Sequence, residues 1–276
     1  MKKLILLLTV SLFILACQEE KKETTTTNTL ENTKKETKKE KTSSPEERFA
    51  KSIERSHQIS NFESQKMVQF NLDLSFGGEE TMKAKITMLT NSGKIKVEKS
   101  DGSILIYDGE KVSLFPEEKN YEKARFDMFT WAYFFSLPFK LTDPGTQWQE
   151  LQERKMNDIY YDTAKLTFAK KTGDAPDDWY VVYANQNTKL LKAAAYIVTL
   201  GKDLATAEEN PHAIIYDNYF SVKQVAFAKE WTFFNWSEEK GIYGEAIGKG
   251  MISNVNFTER KEDFFKAPNG SIEIKK

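Results

Sequence analysis

Apolar residues recur at helical spacing from Phe49 through Ile53 to Ser56 or His57, and then, after Asn61, at every second position. The first pattern, in "SSPEERFAKSIERSHQI", predicts a short amphipathic helix. Ser44 can cap it, Pro45 suits its first turn, and Glu46 and Glu47 sit at the positive end of its dipole. The second pattern, in "VQFNLDLSF", sets Val68, Phe70, Leu72, Leu74 and Phe76 against Gln69, Asn71, Asp73 and Ser75, which predicts a long strand with one face buried. Gly77 and Gly78 turn the chain, and Met82, Ala84, Ile86 and Met88 alternate in the next strand. Further turns at "NSG", Asp101-Gly102 and Asp108-Gly109 mark off "KIKVE", "SILIY" and "KVSLF", so this half reads as an antiparallel meander.

The second half follows the same grammar. "DTAKLTFAK" alternates, "DDWYVVYAN" and "TKLLKAAAYIVT" predict a hairpin across Asn185 to Asn187, and "HAIIYDNYFSV" and "KEWTFFNW" supply more strands. A last strand, "IYGEAIGKGMISNVNF", carries Gly244, Gly248 and Gly250, which would permit a bend or bulge. About ten strands result, enough for a strongly curved antiparallel sheet that must cover its apolar face.

One segment breaks the period of two. "FDMFTWAYFFSLPF", Phe126 to Phe139, is crowded with rings, and from Tyr121 to Ser136 there is neither Gly nor Pro. Past Glu122 and Lys123, Arg125, Asp127 and Thr130 are the few polar exceptions before Ser136, so the stretch predicts a buried helix ended by Leu137-Pro138. It is too short for a bilayer span of about 20 residues. Two readings stay open: its rings fill a dry core, or they line a hollow that holds something apolar.

The N-terminus carries a different signal. "MKKLILLLTVSLFILAC" has two lysines, an apolar run and a small residue directly before Cys17, the single cysteine of 276 residues. "ILAC" resembles a bacterial lipobox, which implies a signal peptide over 1–16 and a lipid anchor on Cys17. From Gln18 to Pro45 the only large apolar residue is Leu30, too little to offset the entropy of ordering the backbone, so residues 17–45 are expected to be a lipidated cysteine and disordered tether. Its flexible span would be about 30 Å. Gln18, Glu19 and Glu20 are similar to an export signal for the outer face of the outer membrane, although tethers of this composition are rich in Glu throughout. One domain is expected over 46–276.

Charge and chemistry narrow the function. Lys plus Arg is 40 against Asp plus Glu at 41, which gives no electrostatic reason to expect nucleic acid. The two histidines, His57 on the first helix and His212 after Pro211 in an expected loop, have no metal-site spacing. No nucleophile elbow surrounds a serine, and the adjacent Asp177 and Asp178 suit a loop leading into a strand better than a pair of catalytic acids. A non-enzymatic protein without cofactor or metal is expected. Asp162-Thr163-Ala164 resembles a short O-glycosylation sequon.

The order of lipobox, polar tether, helix, meander and aromatic mid-chain helix, with "FTWAYFFSLPFKLTDPGT" and "LTFAKKTGDAPDDWYVVYANQNTKLLKAAAYIVT", resembles a family of Bacteroidota lipoproteins whose domain is similar to lipoprotein-sorting carriers of the LolA and LolB kind. The resemblance covers nearly everything after residue 45. It implies an α+β, mainly β fold: a half-open β-barrel closed by helices around an apolar cavity suited to acyl chains. The soluble carrier of that kind has no anchor of its own, and no acyl-contacting motif carries over residue by residue. The expected lining is the row Val68, Phe70, Leu72 and Leu74 facing Phe126, Phe129, Trp131, Phe134 and Phe135. The expected function is a protein tethered to the outer membrane that binds a lipid or other hydrophobic ligand. A different class stays open: a surface interaction module with a solid core, using a sheet edge or exposed Trp231, Trp236 and Tyr243. No protein partner is named by either reading.

Overall fold

The computed structural model describes residues 43–276, so the leader over 1–16, Cys17 and the tether up to residue 42 lie outside the described residues. Five strands form the first meander: β1 (Met67–Phe76), β2 (Glu79–Leu89), β3 (Ile95–Lys99), β4 (Ile104–Tyr107) and β5 (Val112–Phe115). Seven form the second: β6 (Thr146–Met156), β7 (Ile159–Phe168), β8 (Tyr180–Asn185), β9 (Leu191–Tyr196), β10 (His212–Val222), β11 (Val225–Ser237) and β12 (Gly241–Thr258). With the short β13 (Ile272–Ile274) they make one 13-stranded antiparallel sheet in the order β13-β5-β4-β3-β2-β1-β12-β11-β10-β9-β8-β7-β6. The sheet does not close: β13 and β6 are free edges. The expected fold class is the one observed.

The order places the aromatic helix. Helix α3 (Ala124–Ser136) connects β5, next to one edge of the sheet, with β6 at the other edge. It crosses the inner face, and the inward row of β1 receives it. Phe70 stacks on Phe135 with centroids 3.8 Å apart, and Phe135 stacks in turn on Phe227 of β11 at 5.1 Å. Met128, Trp131 and Phe134 are buried in the same core as Val68, Leu72 and Leu74. The indole N–H of Trp131 donates to Asp127 one turn earlier at 2.9 Å, and the Tyr216 hydroxyl donates to the Phe134 carbonyl at 3.1 Å.

Helices α1 (Pro45–Ser56) and α2 (Ile59–Glu63) cover one end of this core. Ser44 accepts from the Glu47 amide as the expected cap. Phe49 meets Trp148 edge to face, and Phe62 lies flat on Phe139 at 4.0 Å. The carboxylate of Glu54 accepts from the amide (2.8 Å) and hydroxyl (2.7 Å) of Thr142, tying α1 to the segment that follows α3.

The outer face of the second meander is apolar too. Val181, Tyr183, Ala193, Ala195, Ala213, Ile215 and Trp236 form a separate buried cluster, joined by Ala207 of the short helix α4 (Leu204–Glu208). Burial on both faces is why "YVVYAN" and "KAAAYIV" read as nearly continuous apolar runs. Trp231 and Trp236, expected as exposed aromatics, are buried at 2% and 4% exposure, because each fills one of the two clusters; Tyr243 is exposed. His212 opens β10 rather than lying in a loop. Gly248 and Gly250, expected to bend β12, admit neighbours: a Cβ on Gly248 would lie 2.3 Å from the ring of Phe76, and one on Gly250 would crowd Leu74 and Trp231. Gly244, at φ +81°, does take a left-handed conformation.

Candidate functional site: a hollow behind the aromatic helix

Helix α3 has rings all round because its two faces do different things. Met128, Trp131 and Phe135 point into the solid core, whereas Phe126, Phe129, Thr130 and Tyr133, spaced three and four apart, are half-buried on the other side. That second stripe forms one wall of a cavity of about 600 Å³. The facing walls are Ile95 and Tyr107 from the first meander and Phe168, Tyr180 and Val198 from the second. Phe129 meets Tyr107 edge to face at 5.1 Å, and Tyr133 lies 5.4 Å from Tyr180. Of the nine expected lining residues, Phe126 and Phe129 border the cavity. Val68, Phe70, Leu72, Leu74, Trp131, Phe134 and Phe135 do not border it; they pack against one another and their neighbours, with Phe135 flat between two rings.

Polar and charged groups also border this hollow. Arg125 donates in bidentate fashion to Asp174, from Nε at 2.8 Å and Nη2 at 2.6 Å, while its Nη1 donates to the carbonyl of Ile274 at 3.0 Å. One side chain thus fastens α3 both to the β7–β8 loop and to the edge strand β13. Lys140 pairs with Asp143 at 2.6 Å. Asp178 accepts from the amide and hydroxyl of Thr199 at 2.8 and 2.7 Å, and burial raises its pKa against those hydrogen bonds. Its neighbour Asp177 makes no pair with it; as expected, the two lead into β8. Burial also raises the pKa of Tyr133, with the charges of Asp143 and Asp178 adding to it, so that its hydroxyl stays protonated.

Nothing in the sequence marks Tyr107, Phe168, Tyr180 or Val198 as wall residues, since each comes from a different strand or strand end and only the folded sheet brings them together around α3. The 126, 129, 130, 133 spacing was the readable signal, and it separates a face carrying Thr130 from one that is wholly apolar.

The other candidates for chemistry have structural roles. His57 is fully buried: its Nε2 accepts from the Leu191 amide at 3.1 Å, so the proton resides on Nδ1, which donates to the Ala226 carbonyl at 3.0 Å. Burial lowers its pKa to about 4. Among the described residues no three or more His, Cys, Asp or Glu side chains gather as a metal site. Thr163, the acceptor of the sequon-like triplet, is buried, and its hydroxyl donates to the Gln152 carbonyl at 3.1 Å. No helix among the described residues is long and apolar enough to cross a membrane.

No protein-family model matches the chain, and no curated protein is significantly similar to it in sequence. Solved structures are similar in fold. A DUF1329 family protein from Desulfovibrio piger superposes with a TM-score of 0.52 at 12% identity, over 81% of this chain and 98% of its own. A LolA superfamily protein from Nitrosomonas europaea reaches 0.49 at 10% identity, over 79% and 97%. At such identities the likeness is one of backbone architecture.

Proposed function

We propose that this chain is a lipid-anchored envelope protein, held at the outer membrane through Cys17, that binds a lipid or other hydrophobic ligand without catalysing a reaction on it. The observation that carries the reading is the divided helix α3, whose Phe126, Phe129 and Tyr133 face is only half-buried and borders a cavity of about 600 Å³ walled by rings from both meanders. That volume falls within the usual range of small-molecule sites. At about 0.8 kcal/mol per buried CH₂, a sixteen-carbon chain would gain on the order of 12 kcal/mol in such surroundings, enough to hold a lipid transiently. The expected tether and leader support an envelope location, and the role fits envelope lipid or lipoprotein handling.

Gentle purification of the full chain followed by native mass spectrometry tests this. Lipid adducts are expected; a bare mass, with nothing apolar in an organic extract, would count against it. A second reading, a non-enzymatic surface or periplasmic interaction module with a solid core, draws on the β6–β7 hairpin tip, where Ile159 and Tyr160 are 54% and 55% exposed. Protease treatment of intact cells checks the facing: loss of the domain places it outside.

A further inference from the structure

One carboxylate beside this cavity has no counter-charge. Asp178, half-buried just before β8, borders the hollow together with Tyr180 and Val198. Both hydrogen bonds from Thr199 fall on its Oδ1, while Oδ2 has no hydrogen-bond partner and is not closed off from solvent. Among the described residues no Lys, Arg or His forms an ion pair with it. The charges that act on Asp178 are those of Asp177 and Asp174, which add to burial in raising its pKa, and its own charge is felt in turn by Tyr133 and Tyr180. A carboxylate withdrawn from water without a counter-charge is unfavourable, so its place here calls for a partner from outside the chain.

The other charged groups around the cavity leave this role to Asp178. Asp174 and Asp143 border it too, but Arg125 and Lys140 hold them at 2.6 Å each, and Glu110 is exposed to water. With both bordering cations engaged in this way, a ligand carboxylate would meet like charge and no free cation. An ammonium would instead find an open carboxylate oxygen, with the rings of the wall nearby to favour a positive charge.

Resting on the binding function proposed above, we propose that the cavity favours hydrophobic ligands whose polar end is a protonated amine, with Oδ2 of Asp178 accepting from the ammonium while the alkyl chain lies against Phe126, Phe129 and Phe168. The same ammonium occurs in a simple long-chain amine and, beside a phosphate, in a phosphoethanolamine lipid.

The test uses the full chain held in a non-ionic amphipol, so that the medium itself attracts no cation, with a fluorescent acyl probe displaced by dodecylamine, dodecanol, dodecanoate or dodecylphosphoethanolamine. Dodecylamine is expected to displace the probe about tenfold more effectively than dodecanol, and dodecanoate least of all. Asp178→Asn keeps an acceptor for Thr199 but removes the charge, and should bring dodecylamine level with dodecanol. Asp177→Asn, the same loss of charge one residue away and outside the cavity wall, should leave the advantage in place. Dodecylphosphoethanolamine separates the sources: displacement equal to that by dodecylamine names a phosphoethanolamine lipid, and weaker displacement names a simple amine. Equal displacement by amine and alcohol in the unaltered chain would overturn the inference while leaving apolar binding in place, and this comparison holds even if Asp178→Asn does not fold. An advantage that survives Asp178→Asn, as it would if the carboxylate only braced Thr199, or that is lost equally in Asp177→Asn, would overturn it as well. Failure of every compound to displace the probe, or of the probe to bind at all, would remove the binding function and the inference with it.

Discussion

The ring of Phe135 lies flat on that of Phe70, with centroids 3.8 Å apart and 11° between the planes, so the last turn of α3 and the inward row of β1 meet in direct van der Waals contact. With Phe227 on its other side, Phe135 is the central ring of a three-ring stack. Phe135→Ala is expected to cost about 3–5 kcal/mol. Leu74→Glu, which would bury a charge without a partner, should prevent folding. Chemical denaturation checks the first, and the yield of folded protein the second. Phe129→Ala, on the half-buried face, should cost about 1 kcal/mol and act mainly on displacement of a bound apolar probe. A large stability loss from Phe129→Ala with probe binding intact would mean that the two faces of α3 are not divided in this way.

Arg125 bonds Asp174 and Ile274 together, and both partners of the ion pair are largely out of water, at 17% side-chain exposure each. Arg125→Ala leaves Asp174 without its counter-charge and β13 without its link to α3. A loss of about 2 kcal/mol is expected, less than for a fully buried pair because some solvent screening remains. Hydrogen exchange of the Ile272–Ile274 amides should quicken selectively; uniform quickening across the sheet would contradict the link.

His57 makes stability fall in acid. Its pKa is about 4 in the folded chain against an ordinary 6.5, so between these values the unfolded state binds the extra proton. The contribution of neutral His57 is full above about pH 6.5, declines as the pH drops toward 4, and amounts to about 3 kcal/mol when lost. His57→Gln should flatten this part of the stability-against-pH curve at the expense of stability at pH 7. An unchanged slope between pH 6.5 and 4 would show that the imidazole does not titrate as its hydrogen bonds require.

Gly145 adopts φ +96°, and a Cβ there would lie 2.3 Å from the Thr172 hydroxyl oxygen. Gly145→Ala therefore combines a disfavoured backbone conformation with a clash against Thr172, which borders the cavity, and a loss of about 2 kcal/mol is expected in a thermal melt. Gly77→Ala, at φ +62° but with open space around it, should cost less.

The parts of the fold that could be read from sequence are those where burial differs between the two faces of an element. The row Val68 to Phe76 and the Ser44 cap are of this type, and so is the ring-rich helix. Strand β6 is not legible because nearly all of it is exposed, which leaves "TQWQELQERKM" without an alternation to detect; β13 is not legible because it is three residues long. The cavity was harder. An inward-facing apolar row looks the same in sequence whether it meets a ring at 3.8 Å or an empty space, and the difference lies in how closely α3 approaches β1. What distinguished the two faces of α3 was the presence of Thr130 and Tyr133 on one of them, a polar signal inside an apolar segment.

The junction of the two meanders also bears on how the protein is made. Strand β1 has β12 as a neighbour, with Met67 opposite Thr258 and Phe76 opposite Gly248, so the middle of the sheet is joined by segments from nearly opposite ends of the domain. Nascent hairpins can form as they emerge, but this seam must wait until the ribosome has delivered almost the whole polypeptide, and so long a loop closure slows folding. In a chain exported as proposed above, such late completion would keep the polypeptide loose enough to thread through a secretion channel and let it set into its final shape only on the far side.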